Sequence, residues 1–238
     1  MRGAGCVSPL GALQYGSGDV LYLSQTGIRS LKARDASNAA AVSDIGSPVD
    51  PLIQALYTAN SGSFSTATAL LEPIVGRFWL CFPNEIYVLS DFPGPRITAW
   101  SRYTLSFNID QAVTCGGHIF IRSGTRLLVY GGADGNTYDT IVGEVRLPYL
   151  DMKKPGEDKI FQGLDMTVTG NWQVKNSFDF NNPDDEEVLG TFSAPTWRGG
   201  RCGFEGKSTH FSLRFYTVGA GIATLSNACV HYEGAEET

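Results

Sequence analysis

The sequence predicts an all-β protein in which partial β-propeller blades, interrupted by a short inserted helix, are followed by an antiparallel β-sandwich. Two compositional observations favour strands: the 238-residue chain contains 28 glycines, and it contains 13 Phe, 10 Tyr and 4 Trp. Aromatic residues are enriched in strands, and glycine-rich turns join many short strands. A third observation, a hairpin pattern that occurs three times, predicts the type of sheet.

The clearest hairpin pattern is GRFWLCFPNEIYVLSDFPG, residues 76–94, where two apolar runs flank the turn-like residues Pro83, Asn84 and Glu85. The same pattern begins at two other glycines, and in each copy a second apolar run starts ten positions later. The glycines and the second runs are at Gly18 and Ile28, Gly76 and Ile86, and Gly117 and Leu127. The copies begin 58 and 41 residues apart. Since a four-stranded propeller blade repeats every ~40–45 residues, residues 1–140 are predicted to be a propeller-blade region.

The longer first interval is explained by a predicted helix over residues 48–59, within SPVDPLIQALYTAN. Ser47 is suited to cap this helix, Pro48 suits its first position, and Asp50 suits its positively polarised N-terminus. We therefore expect one short helix inserted between two blades.

The pattern changes at about Ile141, and residues 141–238 are predicted to form a β-sandwich domain. Several strand-like segments there no longer follow the blade interval, and some alternate with a period of two. Phe211, Leu213 and Phe215 are expected to face the core, because residues two apart lie on one face of a strand.

Composition limits the classes of function. The formal net charge is −6, which argues against a surface that grips nucleic-acid phosphates, although DNA can still pass such a surface without adhering. No apolar run approaches the ~18 residues of a membrane span, and the N-terminus lacks the apolar core of a signal peptide.

The side chains that carry chemistry show no catalytic or metal-binding spacing. The three histidines and five cysteines match no zinc or metalloprotease motif, and the cysteines are expected to be reduced, mostly buried thiols. No nucleophile and base can be paired by spacing. We therefore expect no enzyme activity, no metal ion and no cofactor.

The candidate functional residues are an acidic run and one tryptophan. Asp184, Asp185, Glu186 and Glu187 lie in FDFNNPDDEE, which is typical of a solvated loop. Its oxygen-rich side chains could alternatively hold a hard cation, and in a channel they would repel DNA. Trp197, in APTWRGGR, is expected to be an exposed loop residue at an interface or ligand site.

Three segments resemble one family of phage proteins. They are GDVLYLSQTGIRSLKARDASNAAAVSDIGSPVDPLIQAL (18–56), GRFWLCFPNEIYVLSDFPGPRITAWSRY (76–103) and HIFIRSGTRLLVYGG (118–132). With LPYLDMKKPGEDKIFQGLDM and TLSNACVHY, the likeness covers nearly the whole chain. The family is that of tail nozzle or hub proteins of short-tailed bacteriophages, also described as tail tubular protein B-like or packaged-DNA stabilisation proteins.

The resemblance implies a propeller-bearing subunit of a homo-oligomeric ring, commonly a hexamer, in the virion tail. Such a ring is assembled in the bacterial cytoplasm, extends the DNA channel and retains the packaged genome until ejection. Its implied partners are adaptor or tail-tube proteins, tail fibres or spikes, and a tail needle or plug. Family members are usually longer and carry further blades. We therefore expect either that these blades lie on another polypeptide or that this chain is a shortened version of the family protein.

A different class of function remains open from the sequence, that of a carbohydrate-binding or glycan-cleaving tail-associated adhesin. A nozzle predicts a ring with carboxylates facing its lumen. An adhesin predicts a monomer or trimer with exposed aromatic residues around a cleft.

Overall fold

A computed structural model describes residues 5–16, 18–32, 45–92, 97–135 and 137–234. Strands make up 49% of the described residues, which confirms the all-β class. The described residues form five open antiparallel sheets, and the chain separates into two compact units, Met1–Tyr138 and Asp139–Thr238.

The first unit contains three sheets that follow one another along the chain. Sheet 1 has the order β1-β2-β3, sheet 2 has the order β4-β5-β6-β7, and sheet 3 has the order β10-β9-β8. The strands are β1 Ala12–Tyr15, β2 Asp19–Ser24, β3 Gly27–Ser30, β4 Thr68–Leu71, β5 Phe78–Cys81, β6 Glu85–Phe92, β7 Ile97–Thr104, β8 Gln111–Cys115, β9 His118–Ser123 and β10 Arg126–Val129. All three predicted hairpins are confirmed, as the pairs β2–β3, β5–β6 and β9–β10.

The hairpin between β5 and β6 shows how the sequence sets the register. Phe82 N–H donates to the Glu85 carbonyl across 2.8 Å, which closes the turn around Pro83. The Pro83 carbonyl accepts a hydrogen bond from Ile109 N–H, so the turn is also tied to the segment that leads into sheet 3.

Sheet 2 is buried on both faces, which explains why its apolar runs are continuous. The side chains of Phe78 and Leu80 lie in a cluster with residues of sheet 1. The alternate side chains, Trp79 and Cys81, lie in a second cluster with residues of sheet 3. Because consecutive residues of a strand point to opposite faces, a strand packed on both sides must be apolar at every position. The three sheets are therefore stacked, with sheet 2 in the middle.

The inserted helix is present, as a 3₁₀ turn, Ser47–Val49, followed by α1, Asp50–Ala59. The predicted capping role of Ser47 is wrong, because its hydroxyl is enclosed and bonds no described residue. Asp50 instead pairs with Arg29 of the first hairpin, with 2.7 Å between Oδ1 and Nη1. A Cβ at Gly27, whose φ is +136°, would overlap this carboxylate, so the close approach requires glycine.

The second unit consists of two sheets that share one apolar cluster. The orders are β11-β16-β13-β14 and β15-β12-β17. The elements are β11 Glu144–Arg146, β12 Lys159–Thr169, β13 Trp172–Ser177, β14 Glu187–Phe192, α2 Thr196–Gly199, β15 Gly206–Ser208, β16 Ser212–Thr217 and β17 Thr224–Gly234. Phe211, Leu213 and Phe215 are at most 1% exposed and lie in the shared cluster, which confirms the predicted alternation.

The expectation that the cysteine thiols are mostly buried is wrong. Two are buried, Cys81 and Cys202, and three are exposed, Cys6, Cys115 and Cys229. Cys115 ends its strand, and Cys229 points away from the core of the second unit, so strand membership alone did not decide burial. No helix within the described residues is long and apolar enough to cross a membrane.

Candidate interaction surface

The acidic run forms the loop between β13 and β14 and the first residue of β14. Asp184, Asp185 and Glu187 are exposed. Glu186 differs from them, because only 7% of its side chain is exposed. The sequence does not distinguish these four carboxylates, but the structure does.

Glu186 is held by two cations on the adjacent strands. Its Oε1 accepts a hydrogen bond from Arg214 Nη1 at 2.9 Å, and its Oε2 accepts one from Lys175 Nζ at 3.3 Å. Burial alone would raise the pKa of Glu186, but the hydrogen bonds and the positive charges of Arg214 and Lys175 together outweigh burial and hold the pKa below its usual range. The carboxylate is therefore ionised and neutralised within the protein.

The cations belong to a row across the outer face of the four-stranded sheet. Arg146 lies opposite Arg214, and Arg214 lies opposite Lys175. Like charges directly opposite one another destabilise a sheet, so the row requires carboxylates. Glu144 supplies one, 2.7 Å from Arg214 Nε, and Glu186 supplies the other.

Two further hydrogen bonds fix the backbone of the acidic loop. Arg146 Nη2 donates to the Pro183 carbonyl at 2.7 Å, and the Tyr149 hydroxyl donates to the Asp179 carbonyl at 2.8 Å. With Glu186, the loop is attached to the second unit at three points. Its remaining carboxylates consequently project to solvent from a defined position.

Trp197 lies beside the other sheet. Its short helix α2 is attached by Thr196, whose hydroxyl donates to Asp165 Oδ1 at 2.9 Å and accepts from Met166 N–H at 2.9 Å. The Trp197 side chain is 55% exposed. The Thr196 hydrogen bond, more than the contact with His231 Nε2 at 2.8 Å, holds the pKa of Asp165 below its usual range.

The acidic loop and Trp197 are not brought together. The loop is anchored to the outer face of the four-stranded sheet, whereas Trp197 lies next to β12 of the three-stranded sheet. Residues of both sheets contribute to one apolar cluster.

The sequence did not reveal that Arg214 and Lys175 bind Glu186 rather than the neighbouring carboxylates. The alternation in β16 indicates that Arg214 points away from the core. Its carboxylate partners, however, depend on the strand order that places β16 between β11 and β13. That order joins Arg214 to Glu144, 70 residues away, and to Glu186, 28 residues away.

The contacts of Glu186 with Arg214 and Lys175 are electrostatic. In the described parts of the chain, no group of three or more His, Cys, Asp or Glu side chains could hold a metal ion. No protein-family model matches the chain, and a search of curated proteins finds no significant match.

Proposed function

We propose that this chain is a structural subunit of a phage tail nozzle or hub ring that extends the DNA channel and helps to retain and release the packaged genome. In this proposal, the three stacked sheets of the first unit are blades of an incomplete propeller, and the second unit is a β-sandwich. The subunits form a homo-oligomeric ring, expected to be a hexamer, in contact with adaptor or tail-tube proteins.

The burial of sheet 2 on both faces is the observation that carries the proposal. Face-to-face stacking of antiparallel meanders is the packing of propeller blades, and the hairpin pattern GRFWLCFPNEIYVL lies in the middle blade. Three blades are fewer than the four to eight of a closed propeller. In this proposal, partner chains cover the outer faces of the stack.

One outer face has the composition expected of such a contact. Val113 and Leu127 of sheet 3 are 53% and 67% exposed, and their neighbours, the buried Ala112 and the partly buried Leu128, pack in the cluster with sheet 2. Exposed apolar side chains on a sheet next to polar ones are typical of a surface that is covered on assembly. This supports an arrangement in which neighbouring chains complete the stack.

The anchored acidic loop supports the passage of DNA without adhesion. Its exposed carboxylates, Asp184, Asp185 and Glu187, repel phosphates of any sequence. Screening limits this repulsion to a Debye length of about 8–10 Å at physiological salt, so the charges must lie close to the DNA path. The three anchors of the loop fix the position of these carboxylates on the second unit, which supports such a role.

The oligomeric state tests the proposal. We expect native mass spectrometry and negative-stain electron microscopy of the purified chain, alone and with its tail partners, to show a ring with a central bore. A discrete monomer or trimer without a bore under both conditions would refute the nozzle and favour the adhesin.

Charge reversal tests the role of the loop. We expect the wild-type chain not to retard duplex DNA in a gel-shift assay. A variant with lysine at positions 184, 185 and 187 is expected to retain DNA at low salt and to release it at high salt. A control variant with lysine at Glu157, Glu205 and Glu233, three exposed positions elsewhere in the second unit, has the same net charge. Equal retention by both variants would show that the position of the loop is irrelevant.

A further inference from the structure

A shallow cleft in the first unit has no role in the proposed ring. It lies at one end of sheets 2 and 3 and is lined by the turn between β4 and β5, by the start of β9 and by Tyr130, Gly135 and Tyr138. Three of its lining side chains carry polar groups suited to a ligand: Glu72, His118 and Tyr138.

Glu72 is a charged residue built into the wall of the cleft. Its side chain is 5% exposed, and its Oε2 accepts hydrogen bonds from Arg77 Nε at 3.1 Å and from Val75 N–H at 3.3 Å. No donor from the described part of the chain reaches Oε1. This oxygen is not completely enclosed by the protein. Oε1 is therefore open to a donor from outside the chain, which a ligand can supply.

The charge of Glu72 is already balanced, and this determines the class of ligand. Arg77 neutralises the carboxylate inside the wall. A cationic ligand would therefore gain little from Coulomb attraction, and it would meet the guanidinium nearby. The free oxygen is better matched by a neutral hydroxyl.

Tyrosine rings form the apolar side of the cleft. Tyr138 is 57% exposed, and its hydroxyl donates to the Gly135 carbonyl at 3.1 Å, which fixes the ring. Tyr130 supports it edge to face, with 5.3 Å between centroids, and Trp79 supports Tyr130 in turn at 4.7 Å. An exposed aromatic face held in this way offers contact area at little entropic cost.

His118 provides a second polar contact. It opens β9 and is partly exposed, and no hydrogen-bond partner for its imidazole is seen among the described residues. A neutral imidazole offers one donor and one acceptor, so it can bond a hydroxyl in either direction.

We propose that this cleft binds one neutral saccharide ring. The C–H face of the sugar lies on Tyr138, one hydroxyl donates to Glu72 Oε1, and another hydroxyl bonds His118. Because the shallow cleft encloses little of a ligand, the dissociation constant is on the order of 1 mM. The inference goes beyond the proposed ring function, and it holds for a single chain or for a ring.

Saturation-transfer NMR on the full chain tests the proposal with methyl glucoside, methyl galactoside and methyl mannoside, and with methylammonium as a cationic probe. We expect saturation transfer to at least one glycoside and none to methylammonium. Tyr138→Ala is expected to weaken binding by at least about tenfold, while Tyr138→Phe, which keeps the ring, retains most of it.

Two further variants complete the test. Glu72→Gln is expected to weaken glycoside binding about tenfold, because it removes a charged acceptor. Phe180→Ala, which truncates an equally exposed aromatic side chain in the second unit, is the matched control and is expected to change nothing. No transfer to any glycoside, a preference for methylammonium, or unchanged binding by Tyr138→Ala would overturn the proposal. If Glu72→Gln does not fold, the Tyr138 variants decide the question.

Discussion

Replacing Glu186 by Gln is the most direct perturbation of the acidic loop. The substitution keeps the size and shape of the side chain but removes its charge. The amide oxygen can still accept from one cation, whereas the amide N–H₂ group must face the other, which is also a donor. One charge-assisted hydrogen bond is therefore lost.

The magnitude follows from the contacts of Glu186. A hydrogen bond to a charged group contributes about 1.5–3 kcal/mol. Arg214 and Lys175 are 22% and 26% exposed, and Arg214 retains Glu144, so the lower end of this range applies. We expect the substitution to destabilise the anchored loop by about 1.5 kcal/mol, and hydrogen exchange of the amides of residues 179–192 to become about tenfold faster.

The stabilisation that Glu186 provides should decrease at acidic pH. Because the pKa of Glu186 is held low in the folded state, its contribution is fully present above the unfolded carboxyl pKa of about 4.3. The contribution is lost as the pH falls through the lower, folded pKa. The difference between wild type and Glu186→Gln is therefore expected to be full at pH 7 and to shrink in acid.

Hydrogen exchange with mass spectrometry measures both effects, and Glu187→Gln is the matched control. Glu187 is adjacent, exposed and without a side-chain partner in the described part of the chain, so its substitution is expected to change exchange little. Equal effects of the two substitutions, or an effect of Glu186→Gln that does not change with pH, would refute the reasoning.

Three other predictions concern the core, a turn and the thiols. Leu80→Ala should destabilise the first unit by about 2–5 kcal/mol in urea titrations, whereas the exposed Leu127→Ala should change stability by less than about 0.5 kcal/mol; similar losses would contradict the stacking of sheet 2. Gly27→Ala should lower the melting temperature, because Gly27 has a positive φ and the added Cβ would overlap the Asp50 carboxylate. An unchanged melting temperature would show that the N-terminus of α1 moves to make room. Burial raises the pKa of Cys81 to about 12, so iodoacetamide at pH 8 should alkylate Cys229 in the native protein and leave Cys81 unmodified, as mass spectrometry would show.

The local elements of the fold could be predicted because each depends on residues close together in the chain. The turn at Pro83 brings together runs that flank it, and the helix Asp50–Ala59 follows from a proline-containing start and an apolar face. The predicted capping role of Ser47 is wrong because the 3₁₀ turn Ser47–Val49 precedes the helix and places Val49 at its N-cap. The continuous apolar run of β5 was visible in the sequence, but the two clusters that cover it were not.

The sequence by itself determined the all-β class, the three hairpins, the inserted helix and the presence of four neighbouring carboxylates. Only the tertiary structure decided that one of these carboxylates, Glu186, is neutralised inside the protein while the other three remain exposed. It also decided that Lys159 is completely buried, with its ammonium group bonded to three backbone carbonyls. The physical reason is that hairpins and helices are set by short-range backbone geometry. Charge pairing and burial instead depend on which distant strands lie side by side.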